Sequence, residues 1–227
     1  CLLWCSPWLR IWPDSLSNAG GAGNEVLVLD AANLKALLAK LSSSSVITIG
    51  AAVTGVSGST ADVTSVFNSD VFKFVGDEAI TLTDNASVSD VNALIQKTTG
   101  AVTATLSDTA LSTLEGLTLN SASGASKPVL TATVADSSID ATKANALLAK
   151  VQTVGNITFN AIAVTGTLDA VDTLYTTDAG SDVGLANEAV TISDTGELDG
   201  TKLTTLNSRT TGLITVNASS IKGTATE

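Results

Sequence analysis

Apolar and polar residues alternate with a period of two in a short phrase that returns four times along the chain. Each copy ends in an aspartate and is followed by a leucine-rich stretch with helical spacing. The copies of the phrase are residues 26–30, 80–84, 131–136 and 190–194, and the leucine-rich stretches are residues 33–40, 90–97, 143–150 and 202–209. Self-similarity at a period of this kind predicts an array of stacked repeats.

Each long repeat contains a second strand-like run and, in three copies, a second helix candidate. The second runs are residues 46–49, 102–105, 157–159 and 214–216, and the second helix candidates are residues 60–69, 109–117 and 167–177. The predicted unit is therefore strand, helix, strand, helix. Long repeats begin near residues 26, 79, 130 and 189, and the last one is truncated.

The order of these elements predicts the fold class. Strands that alternate with helices pair in parallel, because each helix returns the chain to the same end of the sheet. The strands alternate in polarity, whereas a doubly wound sheet has strands that are apolar throughout. We therefore predict an α/β solenoid of alternating parallel strands and short helices, with one sheet and one helix layer. The alternative is a parallel solenoid that resembles a β-helix.

The polar positions of the predicted strands are occupied mostly by threonine. Because side chains alternate across a strand, these threonines are expected on the exposed face of the sheet. Threonine is common at exposed strand positions without any binding role, because β-branched residues favour strands. A flat, regular and uncharged face would favour binding of a glycan, a surface or ice. The predicted face consists of Thr48, Thr81, Thr83, Thr103, Thr105, Thr131, Thr133, Thr158, Thr191 and Thr215.

Aspartate and glycine mark the predicted ends of the helices. The aspartates that close the strand phrase, Asp30, Asp84, Asp136 and Asp194, are expected to accept N–H bonds at the start of the helix or turn that follows each of them. Gly100, Gly155 and Gly212 follow the leucine-rich stretches. A glycine there is expected to adopt the left-handed conformation that ends a helix.

Composition argues against most enzyme and binding classes. Eleven basic and 22 acidic residues give a net charge of −11, which disfavours nucleic acid and anionic membranes as partners. The chain has no histidine, and residues 14–227 have no cysteine, so the commonest general base, a thiolate nucleophile and a zinc cluster are not available there. The acidic residues lie at repeat-equivalent turns, and no carboxylate pair stands out. We predict no enzymatic activity and no cofactor.

Calcium is the one metal that a sequence feature brings into question. Residues 20–27 come close to a calcium-binding nonapeptide repeat, with Glu25 where aspartate is needed. Such sites require stacked copies of the repeat to complete the coordination shell. A single imperfect copy does not predict a calcium site.

Residues 1–13 form an atypical segment that differs in composition from the repeat array of residues 14–227. They contain both cysteines, Cys1 and Cys5, and the tryptophans Trp4, Trp8 and Trp12, which would form one stripe on a helix. The segment is too short to span a membrane and lacks the features of a signal peptide. A cap or docking stripe, a remnant of processing and a misassigned start of the reading frame are the three interpretations.

The chain ends suggest how the array continues. Residues 221–227 parallel residues 56–62 and 164–169, so the sequence stops where a second helix candidate should begin. A solenoid that is soluble alone has polar capping units. Either the chain is a piece of a longer array, or its ends stack head to tail into a filament. The residues expected at the assembling ends are Trp4, Trp8, Trp12, Ile221 and Glu227.

The repeat phrases themselves resemble those of a known class of proteins. Residues 80–108 and 185–225 are similar to the tandem repeats of very large cyanobacterial extracellular proteins, which also occur in structural proteins of some marine cyanobacterial phages. The resemblance covers about residues 20–227 and implies secretion and a surface, adhesive or appendage role. The predicted function is a structural repeat protein of an extracellular surface layer or fibre. The alternative is an adhesive module that binds through the threonine face.

Overall fold

A computed structural model of the chain describes residues 27–42 and 44–223. In these ranges the protein is mixed α/β, with seven α-helices and with sheets whose strand pairs are all parallel. The predicted fold class is thereby confirmed at the level of an α/β protein with parallel strands. Residues 1–13 and the possible calcium segment up to Glu25 lie outside the described residues, as does Glu227.

The helices begin where a side chain can bind the free N–H groups of the first turn. They are α1 (Ala31–Leu38), α2 (Thr60–Phe67), α3 (Val88–Ile95), α4 (Leu111–Leu114), α5 (Ala141–Leu148), α6 (Leu168–Ser181) and α7 (Gly200–Asn207). Asp30, Ser59, Ser87, Asp140, Thr167 and Asp199 cap the six longer helices. Residue Ala110 precedes α4 and provides no side-chain cap. That helix has only four residues, although the sequence predicts a longer one over residues 109–117.

The strands are short, and most units contain two of them separated by a bend. They are β1 (Leu27–Asp30), β2 (Ile47–Thr48), β3 (Val53–Gly58), β4 (Phe72–Lys73), β5 (Ala79–Ala86), β6 (Val102–Leu106), β7 (Val129–Val134), β8 (Ser138–Asp140), β9 (Ile157–Phe159), β10 (Ala163–Gly166), β11 (Ala189–Ile192), β12 (Glu197–Asp199), β13 (Ile214–Val216) and β14 (Ser220–Lys222). The four strand phrases of the sequence correspond to β1, β5, β7 and β11.

Each strand pairs with a strand of the neighbouring unit. One sheet has the order β1-β3-β5-β6-β7-β9, a second has β13-β11-β10-β8, and β12-β14 and β2-β4 form two further pairs. The sequence predicts one sheet, whereas hydrogen bonding divides the strands among four. The bends that separate β7 from β8 and β9 from β10 produce the division.

The core lies between the sheets and the helices and is built in ladders of aligned apolar residues. Val56, Ile80 and Val102 are in register across three strands, and Ile139, Val164 and Val190 are in register across another three. All six are at most 1% exposed. Because each ladder runs across three strands, neighbouring repeats share one apolar core.

Candidate functional site

The structure places the predicted threonine face mostly on the protein surface. Thr103 and Thr191 are half-buried. The other eight predicted threonines are exposed, namely Thr48, Thr81, Thr83, Thr105, Thr131, Thr133, Thr158 and Thr215. The apolar residues between them, such as Leu82 and Ala132, are buried.

These threonines form short rows. Thr81 pairs with Thr103, but the next residue in that row is Val129. A register shift follows Thr81 in β5, so that a separate row begins with Asn85 opposite Thr105. The polar surface is therefore interrupted within the first sheet.

The second sheet has a row of its own, and it contains a charge. Thr165 pairs with Asp140 on one side and with Thr191 on the other, and Thr191 pairs with Thr215. The rows are thus neither regular nor free of charge, two of the properties that would favour a binding surface for glycans or ice. Binding through the threonine face stays a prediction.

The aspartates of the strand phrase bind helices, but in three of four copies the helix is not the expected one. Asp30 accepts the N–H of Asn33 in the helix that follows it, at 2.8 Å. Asp84 instead accepts the N–H and the hydroxyl of Thr60, which begins the helix of the preceding unit, at 2.7 and 2.8 Å. For Asp84, Asp136 and Asp194 the prediction of a cap on the following helix is wrong.

The contact between neighbouring units is repeated along the chain. Asp136 accepts the N–H of Leu111 and Asp194 accepts the N–H of Leu168, both at 2.7 Å. Asp108, which the sequence did not single out, binds the N–H of Val88 in the same way. Each carboxylate of one unit thus lies at the first turn of the helix in the preceding unit. These aspartates therefore connect neighbouring units.

Hydrogen bonds from the helix terminus stabilise the charged form of such a carboxylate. The backbone N–H and the hydroxyl of Thr60 hold the pKa of Asp84 below its ordinary value. The N–H groups of Lys202 and Thr201 lower the pKa of Asp199 in the same manner. Both side chains are exposed, so the interaction with the helix terminus, and not burial, sets their protonation.

Ion pairs connect residues in or next to the helices of neighbouring units. They join Lys35 to Asp62 at 2.6 Å, Lys202 to Asp169 at 2.6 Å and Arg209 to Asp172 at 2.7 Å. The hydrogen bond from Lys35 lowers the pKa of Asp62, and Asp169 raises the pKa of Lys202. The pairs are partly or largely exposed, so each contributes little stability by itself but favours one stacking register.

Two buried glutamates form a second repeated feature. Glu78 accepts the N–H groups of Val75 and Gly76, at 2.7 and 2.9 Å. Glu188, at the equivalent position, accepts the hydroxyl of Tyr175 and the N–H of its neighbour Asn187, both at 3.1 Å. Both are at most 3% exposed. Burial and then the charge of Glu188 raise the pKa of Tyr175, which therefore stays a hydrogen-bond donor.

Two of the three glycines after the leucine-rich stretches, Gly100 and Gly212, allow close approach to these glutamates, whereas Gly155 approaches Ser181. A β-carbon on Gly100 would lie 2.5 Å from the carbonyl oxygens of Asp77 and Glu78. Neither Gly100, Gly155 nor Gly212 has a positive φ, so the expected left-handed conformation is wrong at all three. The sequence already carried a signal for this site, because a glutamate ends the loop before the strand at residues 25, 78 and 188.

One open pocket of about 290 Å³ lies where α4, β8 and α5 meet. It is lined by residues including Asp136, Asp140 and Lys143. Asp136 is bound to the N–H of Leu111, and Asp140 to the N–H of Lys143. Both carboxylates thus bind N–H groups in the first turn of a helix. Among the described residues no three histidine, cysteine, aspartate or glutamate side chains are arranged to hold a metal ion.

The last described unit leaves apolar side chains uncovered. Ile221 is 55% exposed, whereas its register partner Leu198 in the preceding unit is 5% exposed. Val216 is 36% exposed and its partner Ile192 is fully buried. Of the residues predicted at the assembling ends, Ile221 lies on this surface. The others, Trp4, Trp8, Trp12 and Glu227, lie outside the described residues.

Comparison with known proteins adds no relative. No protein-family model, curated protein or solved structure matches the chain with significant similarity. None of the helices within residues 27–42 and 44–223 combines the length and the apolar character that a membrane crossing requires.

Proposed function

We propose that the chain is a non-enzymatic structural repeat protein of an extracellular surface layer or fibre. In this proposal the parallel strands and short helices wind into an α/β solenoid whose ends stack on further copies. A solenoid of this kind provides length and a regular surface.

The observation that carries the proposal is the repeated contact between neighbouring units. Parallel strand pairing, an apolar ladder and a carboxylate on the preceding helix recur from one unit to the next. A contact that recurs in this way can be continued by addition of further units without a change in geometry. This supports a building module.

The disposition of polar groups supports a structural role further. The aspartates of the repeat bind helix N–H groups, and Glu78 binds backbone N–H groups of its own loop. Each of these carboxylates holds a turn or a helix in place. The acidic surface, with a net charge of −11, keeps an extended assembly soluble. The resemblance of the repeats to those of giant extracellular proteins is the basis for the location.

Immunogold electron microscopy of intact source cells tests the proposal. Antibodies raised against the purified 227-residue chain should label fibres or a layer outside the cell. Permeabilised cells serve as the control for total antigen. Labelling that appears only after permeabilisation would exclude the extracellular function.

The purified protein offers a second measurement. If the ends stack, negative-stain images should show fibres with an axial repeat of about 40 Å, which corresponds to about eight parallel strands at roughly 4.8 Å each. A monodisperse, globular particle at all concentrations would contradict assembly through the ends.

A further inference from the structure

We propose that the open pocket between α4 and α5 binds one sugar residue of a neutral glycan. The pocket has a volume of about 290 Å³, close to the lower end of the range for small-molecule sites. This binding activity goes beyond the structural role and does not depend on assembly of the chain. The polar part of the lining consists of Ser112, Asp136, Ser138, Asp140, Lys143 and Thr165.

A comparison with the next long repeat shows why the pocket is open. The first residues of α4 and α6, Leu111 and Leu168, each donate the backbone N–H to an aspartate of the following unit at 2.7 Å. The two helices therefore begin in equivalent ways. The second position is Ser112 in α4 and Asp169 in α6. A carboxylate is thus present at this position in one repeat and absent from the other.

This difference changes the contact of the lysine in the neighbouring helix. In the later repeat, Lys202 of α7 reaches Asp169 at 2.6 Å and so connects the first turns of two helices. Lys143 holds the equivalent position in α5, because the N–H of each lysine binds the aspartate that caps its own helix. Lys143 contacts Glu115 at 3.2 Å, three positions after Ser112. The ion pair between the first turns is therefore missing at the pocket.

The polar groups of the pocket retain hydrogen-bonding capacity. Asp136 binds a helix N–H through Oδ2, and Asp140 binds one through Oδ1. The second oxygen of each carboxylate has no partner among the described residues, and neither do the hydroxyl groups of Ser112 and Ser138. Two acceptors and two hydroxyl groups can therefore bind a ligand without a change in the fold.

These groups favour a neutral ligand that is rich in hydroxyl groups. A carboxylate oxygen accepts hydrogen bonds from hydroxyl groups, and its charge strengthens them. The serine hydroxyls can both donate and accept. The two carboxylates disfavour an anion, whereas the exposed ammonium group of Lys143 disfavours a cation. A sugar residue meets these requirements, because its ring carries adjacent hydroxyl groups and no charge.

Titration of the purified 227-residue chain, followed by amide chemical shifts, tests the proposal. The probes are the methyl α-glycosides of glucose, galactose and mannose. We expect at least one of them to shift the signals of Ser112, Ser138 and Lys143 with a Kd of about 1 to 10 mM, as is usual for a ligand of this size. Glucuronate, which carries a negative charge, should bind at least about fivefold more weakly.

Two variants at one position test the pocket itself. Ser112→Asp provides the carboxylate that the next repeat has, so Lys143 should pair with it and close the pocket, and binding should weaken about tenfold or more. Ser112→Ala removes one hydroxyl and should weaken binding about three- to tenfold. Ser123→Ala, at an exposed position outside the lining, is the control and should bind like the wild type. Circular dichroism first establishes that the variants are folded.

Several results would overturn the proposal. One is the absence of shifts at the pocket amides with all three glycosides, and another is unchanged binding in Ser112→Asp. A stronger response to glucuronate would exclude a neutral ligand, and a response to calcium chloride without one to the glycosides would indicate a cation site. Labelling of fibres on the source cells depends on none of these results, so failure of the sugar site would leave the structural function intact.

Discussion

Three equivalent turns of the repeat provide acceptors for their backbone N–H groups in two different ways. In the turns before β5 and β11, the buried carboxylates of Glu78 and Glu188 accept N–H groups of the loop. In the turn before β7, the buried Pro128 occupies the position of the glutamate. The N–H groups of Ala125 and Ser126, which correspond to those of Val75 and Gly76, bind the carbonyl oxygens of Ala122 and Thr99 instead, at 3.1 and 2.8 Å. The carbonyl oxygen of Pro128 accepts the N–H of Gln152 at 2.9 Å.

The difference shows what the turn requires. A buried backbone donor without an acceptor costs free energy comparable to a lost hydrogen bond. The repeat can take the acceptor from a side-chain carboxylate, at the cost of burying a charge, or from backbone carbonyl groups. A close glycine accompanies the first solution, because Gly100 and Gly212 approach the backbone of Glu78 and Glu188, whereas Gly155 approaches Ser181 and not the turn of Pro128.

The largest effect is expected for Gly100→Ala. The new β-carbon would overlap the carbonyl oxygens of Asp77 and Glu78. We expect a loss of about 3 kcal/mol or more in the free energy of unfolding, measured by urea denaturation. Gly50→Ala is the control, because the β-carbon that alanine adds there meets no atom within 4 Å beyond its chain neighbours. Equal stability of the two variants would contradict the close approach.

The second prediction concerns the carboxylate of Glu78, which accepts the N–H groups of its turn. Glu78→Ala leaves the N–H groups of Val75 and Gly76 without their carboxylate. We expect the protein to lose about 2 to 3 kcal/mol, with hydrogen exchange faster at these two amides and unchanged in the turn before β7. The exposed Glu197→Ala should change stability little. Unchanged exchange at Val75 and Gly76 would show that the carboxylate is dispensable.

The third prediction adds a donor to the turn before β7. Pro128→Ala introduces an N–H at a buried position and also removes apolar volume. A loss of about 1 to 2 kcal/mol is expected in the same denaturation experiment. Ser123→Ala, on an exposed position of the same loop, serves as the control. A stabilised Pro128 variant would contradict a cost of placing a donor at this position.

The fourth prediction concerns the carboxylates between units. Asp136→Ala should destabilise by about 1 kcal/mol, because α4 has no other side-chain cap. Asp194→Ala should cost less, since α6 is also capped by Thr167. Equal losses in thermal or urea denaturation would argue against a role of the second cap.

The smallest effect is a dependence on pH. The pKa of Asp84 is lowered in the folded state, so its contribution to stability is complete above the ordinary carboxyl pKa of about 4 and disappears as pH falls through the folded value. Wild-type protein should therefore lose more stability than Asp84→Asn between about pH 6 and about pH 3. Parallel pH profiles of the two proteins would exclude this linkage.

The sequence predicted those parts of the fold that have a visible period. Alternation in residues 80–84 and 190–194 identified β5 and β11, because a half-buried strand repeats every two residues. It missed β8, β12 and β14, which have three residues each with one apolar side chain, too few to define a period. It also missed β4 and β10, which are similarly short, and β3, whose six residues include two glycines. It overestimated α4, which ends two residues before Gly116.

The contacts between units were harder to predict. The sequence shows that an aspartate closes each copy of the strand phrase. Because spacing along the chain indicates only local neighbours, it predicts that each aspartate binds a helix in its own unit. Stacking brings Asp84 to Thr60, 24 positions earlier in the sequence. The glutamates had a signal in the repeated loop ending, but burial of a charged side chain contradicts the usual polarity pattern.

The direction of the carboxylate contacts has a consequence for how the chain is made. Asp84, Asp108, Asp136 and Asp194 each complete a helix that precedes them in the sequence. A chain that emerges from the ribosome or a translocon with its N-terminus first must wait for the next unit before α2, α3, α4 and α6 receive these bonds, whereas α1, α5 and α7 are capped by residues already made. A chain that stalls directly after one of the first four would leave that helix incompletely capped.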